Sequence, residues 1–359
     1  MKIKQQDTYK QILRLDAHLK SRIFGQDHAI NAIVDMISIS TAGLGDSSKP
    51  IASFLFTGPT GVGKTEIAKE LASCLKMNFV RFDMSEYADE YSARNLTGGQ
   101  AGLVGYEDGG LLTNAIIEEP RSIVLFDEIE KADKKVLNTL LQVLDYGTLT
   151  DTKGNKADFT NTIIVMTSNL GANEENGIGF ANKSLYKGTA ILDFLTPEFR
   201  NRIDKILEFN KLTKEIVVHI TDKFLKDLSF QLSKKNFTLS ISIEAKNALN
   251  DIGFDPKMGA RSVLRAINSE FKKEISRILL STNEPLGVIS VDYQDGGFIY
   301  ALTTPNTSKE KSLFELDEKE YDFETAEEAQ EYARENIGTV ITRAPRRVGF
   351  IKLRSYMVD

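Results

Sequence analysis

Eight consecutive residues, Gly58-Pro59-Thr60-Gly61-Val62-Gly63-Lys64-Thr65, constrain this chain most. They lie between a short apolar run, Ser53–Thr57, and a helix-like stretch, Thr65–Leu75. A glycine-rich turn that leaves a strand and opens a helix is a backbone device for gripping phosphate. Its glycines let successive N–H groups curl around anionic oxygens without a clashing Cβ, and the helix N-terminus adds its positive end. Lys64 supplies a cation for the β- and γ-phosphates, and the Thr65 hydroxyl can coordinate Mg²⁺. The bland alternative is a glycine-rich turn with no ligand. The strand before it and the helix after it argue against that reading.

The same turn implies a layered sheet around it. Asn78–Phe82, Ser122–Phe126, Thr162–Thr167 and Lys205–Phe209 are four more short apolar runs. All but the last, more mixed run lack clean polar alternation, as strands covered on both faces do. Helix-like stretches fall between them at Leu111–Glu118 and Lys134–Asp145, and residues 1–22 add another with Ile12, Leu15 and Leu19 on one side. Strands alternating with helices predict an α/β domain over residues 1–210 with a central parallel five-stranded sheet.

The pattern changes near Lys211. Lys214–Lys234, Ile243–Asp251 and Arg261–Leu280 read as helices, and Phe237–Ser242, Gly287–Tyr293 and Gly297–Thr303 as strands. The turn Gln294-Asp295-Gly296-Gly297 predicts a hairpin. Residues 211–304 are therefore expected to form a smaller α+β C-terminal domain. Residues 305–359 form a short C-terminal extension, acidic from Glu315 to Glu335 and then basic. Thr325 with Glu328 makes a capping box and Gly338 a helix stop, so a helix followed by one or two strands is expected there. A recruiting surface is open for this segment, and a solvated charged appendage is at least as strong a reading.

Composition narrows the class. The net charge is −6, which gives no bulk attraction to nucleic acid or an anionic membrane. No apolar stretch approaches a membrane span. One cysteine, Cys74, and three histidines exclude a disulfide framework or a structural zinc site within one chain. The expectation is a soluble cytoplasmic protein with no nucleic-acid or membrane partner.

Two acids close the buried run Ile123-Val124-Leu125-Phe126-Asp127-Glu128. Asp127 is placed to hold the Mg²⁺ shell, and Glu128 to polarise an attacking water as a base. Solvated acids at a strand end are the plain alternative; the phosphate loop at a suitable interval decides against it. Asn169 ends the next buried run and lies beside Glu128 if the two strands are neighbours. It could hold the lytic water, sense the γ-phosphate, or simply close a strand at a turn.

With these residues in view, Arg22–Arg261 resembles the second ATPase module of the Clp family of AAA+ unfoldases, nearest in pattern to its ClpA and ClpC branches. The resemblance is carried by Ile23-Phe24-Gly25-Gln26-Asp27, Phe82-Asp83-Met84-Ser85-Glu86-Tyr87, Asp127-Glu128-Ile129-Glu130-Lys131-Ala132, Leu141-Gln142-Val143-Leu144-Asp145-Tyr146-Gly147, Pro197-Glu198-Phe199-Arg200-Asn201-Arg202-Ile203-Asp204 and Met258-Gly259-Ala260-Arg261. It implies an AAA+ P-loop domain with a small C-terminal domain, ATP and Mg²⁺ as cofactors, and a homo-hexameric ring acting on protein substrates. Ile23 and Phe24 then belong to the adenine pocket. Arg202 becomes the arginine finger reaching a neighbour's ATP, with Arg200 as runner-up, and Arg261 the second sensor. Gly102-Leu103-Val104-Gly105 falls where the family carries its axial pore loop, with Tyr106 nearby. The family's tyrosine is replaced by Leu103, which offers less area and no flat face. Ile178-Gly179-Phe180 occupies the position of a tripeptide that docks on a ClpP-type peptidase. A regulatory ring that does not thread, and a disaggregase that works without a peptidase, are the rival expectations.

Overall fold

The computed structural model describes residues 2–98, 109–170, 194–304, 318–322, 339–342 and 350–354. Two compact units divide the chain, Met1–Leu302 and Thr303–Asp359.

The first unit opens with α1 (Lys2–Arg22) and α2 (Asp27–Thr41). Ile12, Leu15 and Leu19 of α1 are buried at helical spacing, as are Ala29, Ile30, Ile33 and Ile37 of α2. There follow β1 (Ala52–Thr57), α3 (Lys64–Leu75), β2 (Asn78–Asp83), α4 (Glu90–Thr97), α5 (Leu111–Glu118) and β3 (Ser122–Asp127). Next come α6 (Lys134–Tyr146), a short antiparallel hairpin β4 (Thr148–Thr150) and β5 (Lys156–Asp158), β6 (Ile163–Thr167), α7 (Pro197–Arg200) and β7 (Lys205–Glu208). The starts of α4 and α6 are fixed by aspartate caps: Asp89 accepts from Tyr91 N and Ser92 N, and Asp133 from Lys135 N. Gly147, at φ 56°, ends α6 in the left-handed conformation that glycine adopts at little cost.

Five strands form one parallel sheet in the order β2-β3-β6-β1-β7. Every residue of β1, β3 and β6 is buried. Because successive side chains point to opposite faces, Phe54, Phe56, Leu125 and Val165 enter one core, and Leu55, Val124, Phe126 and Met166 the other. Stripping one of these aromatic residues to alanine would cost about 3–5 kcal/mol. The sequence pattern misleads at β2. It reads as covered on both faces, but the strand forms a sheet edge, and Asn78 and Arg81 are exposed. The mixed character of β7 has the same cause: it is the other edge, and only Leu207 is buried.

The chain continues through α8 (Lys214–Ser233), β8 (Phe237–Ile241) and α9 (Ile243–Gly253). One long helical stretch then runs as α10 (Ala260–Ala266), a π-helical segment (Ile267–Lys272) and α11 (Lys273–Ser281). It is followed by β9 (Gly287–Gln294) and β10 (Gly297–Thr303). The small sheet has the order β10-β9-β8, with β8 and β9 parallel. Asp295 (φ 51°) and Gly296 (φ 80°) make the expected hairpin turn, both left-handed as a type I′ turn requires. The core of this part is continuous with the first core of the large sheet: Val217, Leu249, Phe271 and Ile289 belong to the same cluster as Phe54 and Leu71.

The second unit contains a three-stranded antiparallel sheet, β11 (Glu318–Asp322), β12 (Thr339–Thr342) and β13 (Phe350–Arg354), in the order β11-β13-β12. The two later strands match the sequence expectation. β11 does not, because it falls inside the acidic stretch. The expected helix around Thr325–Gly338 lies outside the described residues.

Candidate functional site

The sheet order determines the site. β6 lies between β1 and β3, so the glycine-rich loop after β1, the acids ending β3 and Asn169 after β6 converge at the carboxyl ends of three adjacent strands. Open α/β sheets bind ligands at that edge. A cleft of about 350 Å³ opens there, and its lining includes Ile23, Phe24, Thr60–Thr65, Asp127, Glu128, Asn169 and Arg261.

Gly58, Gly61 and Gly63 all have positive φ, at 125°, 76° and 109°. Gly61 has a second reason to be glycine. A Cβ there would come within 2.1 Å of the Met258 carbonyl oxygen, and Ala260 N–H donates to Gly61 O at 2.9 Å. The small domain therefore rests its backbone directly on the loop, immediately before Arg261. α3 begins at Lys64. The Lys64 ammonium donates to Gly58 O, to Pro59 O at 2.8 Å and to Asn169 Oδ1 at 2.9 Å. Burial pulls its pKa down to about 8, against the opposing pull of Glu130 and Asp127, with Arg261 adding to the depression.

Both Asp127 oxygens lie 3.4 Å from the Thr65 hydroxyl. A hydroxyl beside a carboxylate suits Mg²⁺, which takes one or two protein oxygens and completes its shell with phosphate and water. Thr167 Oγ1 donates to Asp127 Oδ1, and Arg81 pairs with Asp127 Oδ2 at 2.8 Å. Glu128 is left-handed at φ 58°, and its N–H donates to Thr167 Oγ1 at 3.0 Å. Its carboxylate accepts from Asn169 Nδ2 at 3.0 Å and pairs with Lys131 at 2.5 Å. Asn169 thus bridges the loop and the acid pair: its Oδ1 faces Lys64, its Nδ2 faces Glu128, and its N–H donates to Glu130 Oε1 at 3.0 Å.

The apolar end of the cleft combines Ile23, Phe24 and Val62 with Leu212, Ile220, Phe224 and Leu264 from beyond the large sheet. Such a wall fits a flat purine ring. Gln26, fully buried, grips the junction just behind it: Oε1 accepts from Asn210 N and Nε2 donates to Asn210 O, both at 2.9 Å.

Arg202 does not line this cleft. It is 40% exposed and pairs with Asp145 at 2.6 Å, while Asp204 is held by the backbone N–H and hydroxyl of Ser53, both at 2.7 Å. Arg200 Nε is buried with no hydrogen-bond partner among the described residues. Leu103, Val104, Tyr106, Ile178, Gly179 and Phe180 lie outside the described residues. Sequence reasoning missed Thr167, Arg81 and the cleft-lining Lys223. A threonine in an otherwise apolar strand end and a lone arginine in β2 were the available signals; Lys223 gave none, since surface lysines are common on helices.

A family model described as an AAA domain of the Cdc48 subfamily matches residues 49–206, and one described as the C-terminal, D2-small domain of ClpB protein matches residues 212–290. The chain is 41% identical to the ClpA homolog protein of Fuscovulum blasticum over 296 residues, 81% of this chain and 37% of that protein. It is 43% identical to the chaperone protein ClpB of Clostridium perfringens over 306 residues, 81% of this chain and 34% of that protein. Its identity to the ATP-dependent Clp protease ATP-binding subunit ClpC of Staphylococcus aureus is 40% over 327 residues, 87% of this chain and 40% of that protein. The chain therefore spans 34–40% of the length of these relatives. With an AAA domain and a ClpB-type small domain in sequence, it belongs to the Clp family of AAA+ ATPases.

Proposed function

We propose that this chain is an ATP-driven protein unfoldase that works in a homo-hexameric ring and hands its substrates to a ClpP-type peptidase. The observation that carries the reading is the single cleft that joins the phosphate loop, Asp127, Glu128 and Asn169 to the small-domain residue Arg261. In that cleft the loop amides and Lys64 hold the phosphates, and Ile23 and Phe24 cover the base. Thr65 and Asp127 would hold Mg²⁺, which supplies charge neutralisation across the β- and γ-phosphates when bound. Glu128 orients and deprotonates water. Asn169 holds that carboxylate in line with Lys64.

Arg202 stays outside its own cleft, which suits a finger that completes a neighbour's site. A guanidinium there contributes on the order of 10³–10⁵ in rate. Arg261 senses the nucleotide through the same backbone that touches Gly61, so hydrolysis would change the angle between domains. Leu103, Val104 and Tyr106 would grip substrate in the axial pore, and Ile178-Gly179-Phe180 would dock the peptidase. The domain limits 1–210, 211–304 and 305–359 are part of the same reading.

A second reading is favoured by Leu103, the departure from the family's tyrosine, and by a relative named as a chaperone rather than a protease subunit. It is a ring that disaggregates without a peptidase or regulates a partner without threading it. The test is loss of a tagged fluorescent protein in the presence of ATP, with and without ClpP-type peptidase. Wild type, Glu128→Gln and Phe180→Asp chains are compared. Delivery predicts peptidase-dependent loss with wild type only. Unfolding by wild type that added peptidase never converts into degradation assigns the chain to disaggregation. ATP turnover with no unfolding assigns it to regulation.

A further inference from the structure

The carboxyl ends of β2 and β3 put two acids side by side. The strands are parallel and in register, so Asp83 stands opposite Asp127. Neighbouring carboxylates repel each other, and Asp127 is buried, so water screens the pair poorly. Arg81 compensates. It lies two residues before Asp83 and hence on the same face of β2. One amino group of its guanidinium, Nη2, meets both acids, Asp83 Oδ2 at 3.3 Å and Asp127 Oδ2 at 2.8 Å. The other oxygen of each acid has its own donor. Asp83 Oδ1 accepts from the Ser85 N–H at 3.1 Å and the Ser85 hydroxyl at 2.6 Å, and Asp127 Oδ1 accepts from Thr167 Oγ1.

Asp127 is also the carboxylate assigned above to Mg²⁺, with the Thr65 hydroxyl 3.4 Å from both of its oxygens. A guanidinium and a divalent ion are then rivals for one carboxylate. With Arg81 in place, the ion meets an acid already neutralised by a fixed cation. With Arg81 removed, it would meet two carboxylates and a hydroxyl, a donor set that suits Mg²⁺ and Mn²⁺. The other cations nearby are committed elsewhere. Lys64 donates to Gly58 O, Pro59 O and Asn169 Oδ1, and Lys131 pairs with Glu128. Arg81 is thus the cation that pairs with Asp127 among the described residues. Its side chain is half-exposed on an edge strand, so it has solvent to move into. ATP brings several negative charges to this end of the cleft, enough to draw a divalent ion in against one guanidinium.

We propose that Arg81 makes Mg²⁺ binding conditional on nucleotide: it holds Asp127 against a divalent ion and yields when phosphate brings the ion in. The proposal rests on the reading of Thr65 and Asp127 as the metal site and is independent of threading. Its consequence is a loading order, in which metal enters with ATP and the nucleotide-free chain takes up little on its own.

Mn²⁺ takes the same oxygen ligands as Mg²⁺ and is paramagnetic, so free Mn²⁺ can be counted by electron paramagnetic resonance beside the full, nucleotide-free chain. Arg81→Gln removes the charge and keeps a donor. It should bind Mn²⁺ about threefold to tenfold more tightly than wild type, as expected for cation repulsion across a half-exposed, screened site. Arg81→Lys keeps the charge and should stay within about twofold of wild type. Arg81→Met serves as a second neutral variant in case Arg81→Gln folds poorly. Adding Asp127→Asn to Arg81→Gln should abolish the gain. Without nucleotide, Mg²⁺ should raise the melting temperature of Arg81→Gln and leave that of wild type unchanged. Equal Mn²⁺ affinity in wild type and the neutral variants overturns the proposal. Weaker binding by those variants also overturns it, because Arg81 would then orient Asp127 for the ion rather than oppose it. A gain that survives Asp127→Asn puts the ion elsewhere and overturns it too. The metal-site reading has its own test: ATP-dependent Mn²⁺ binding that Asp127→Asn alone leaves at the wild-type level refutes that reading, and the proposal with it.

Discussion

Lys64 gives a pH dependence that can be worked out in advance. Burial lowers its pKa from 10.5 to about 8. That displacement corresponds to about 3 kcal/mol between the charged and neutral forms. The sign follows from the group. Its folded pKa lies below its unfolded one, so burial penalises the charged form. The cost is fully present below pH 8 and is relieved as pH rises from about 8 to 10.5. Bound phosphate reverses this by favouring the ammonium. ATP binding should therefore be coupled to proton uptake above pH 8. With a pKa near 8, about nine-tenths of Lys64 is charged at pH 7 and about one-tenth at pH 9, so apparent ATP affinity should fall about tenfold between them. Calorimetric titration at pH 9 in two buffers of different ionisation enthalpy should report nearly one proton taken up per ATP. Lys64→Met should bind far more weakly at every pH and show no such uptake. An affinity that stays flat from pH 7 to 9, with no buffer dependence of the heat, would refute the reasoning.

Two further substitutions probe the same cleft. Thr167→Val keeps the volume but leaves Glu128 N–H without its acceptor and removes one donor of Asp127, which keeps Arg81, so stability should drop by about 1–3 kcal/mol. Denaturant melts and steady-state ATP turnover should fall together, and a melt unchanged from wild type would show that neither bond matters. Gly61→Ala should weaken a fluorescent nucleotide at least about tenfold, because a left-handed backbone costs roughly 1–2 kcal/mol and the new methyl meets Met258 O. Gly154→Ala, at φ 89° with open space around it, carries the backbone cost alone, and equal effects on nucleotide binding from the two variants would rule out the contact with the small domain.

The residues differ in how legible they were in the sequence. The loop, Asp127, Glu128 and Asn169 were readable because each has a fixed place at a strand end, and strand ends are marked by where an apolar run stops. Arg261 and the pair Ile23 and Phe24 needed the family pattern, since nothing in their local spacing says they meet Thr60–Thr65. Their meeting is a consequence of chain crossing: α10 is brought over the loop by a backbone contact between Gly61 and Met258–Ala260. Arg81 was hidden by its strand. A run that looks covered on both faces gave no hint that β2 is an edge, and only at an edge can an arginine lie beside Asp127 while remaining 45% exposed. The capping box at Asp89 and the turns of the β4–β5 hairpin were written in residue types that caps and turns favour, but they are too short to compete with the longer periodic stretches around them.

These contacts also explain why the small domain is part of the site rather than an appendage to it. A hinge that transmits nucleotide state must satisfy two conditions: its two sides must touch the ligand, and its axis must not slip. Both sides line the cleft proposed to hold the nucleotide: Arg261 and the apolar residues Leu212, Ile220, Phe224 and Leu264 on one side, and the loop with Ile23 and Phe24 on the other. The second is met by Gln26, whose paired bonds to the backbone of Asn210 fix the connecting segment after β7 to the start of α2. A third contact spans the same junction: Lys223 on α8 pairs with Glu66 on α3 at 2.9 Å and lies 3.8 Å from Glu70. Since α3 starts at Lys64, a shift of α8 would be felt by the helix whose first residue is proposed to hold the phosphates. In the proposed cycle, coupling between hydrolysis and domain angle would have a short path, one helix and one ion pair, with no relay through the interior of the sheet.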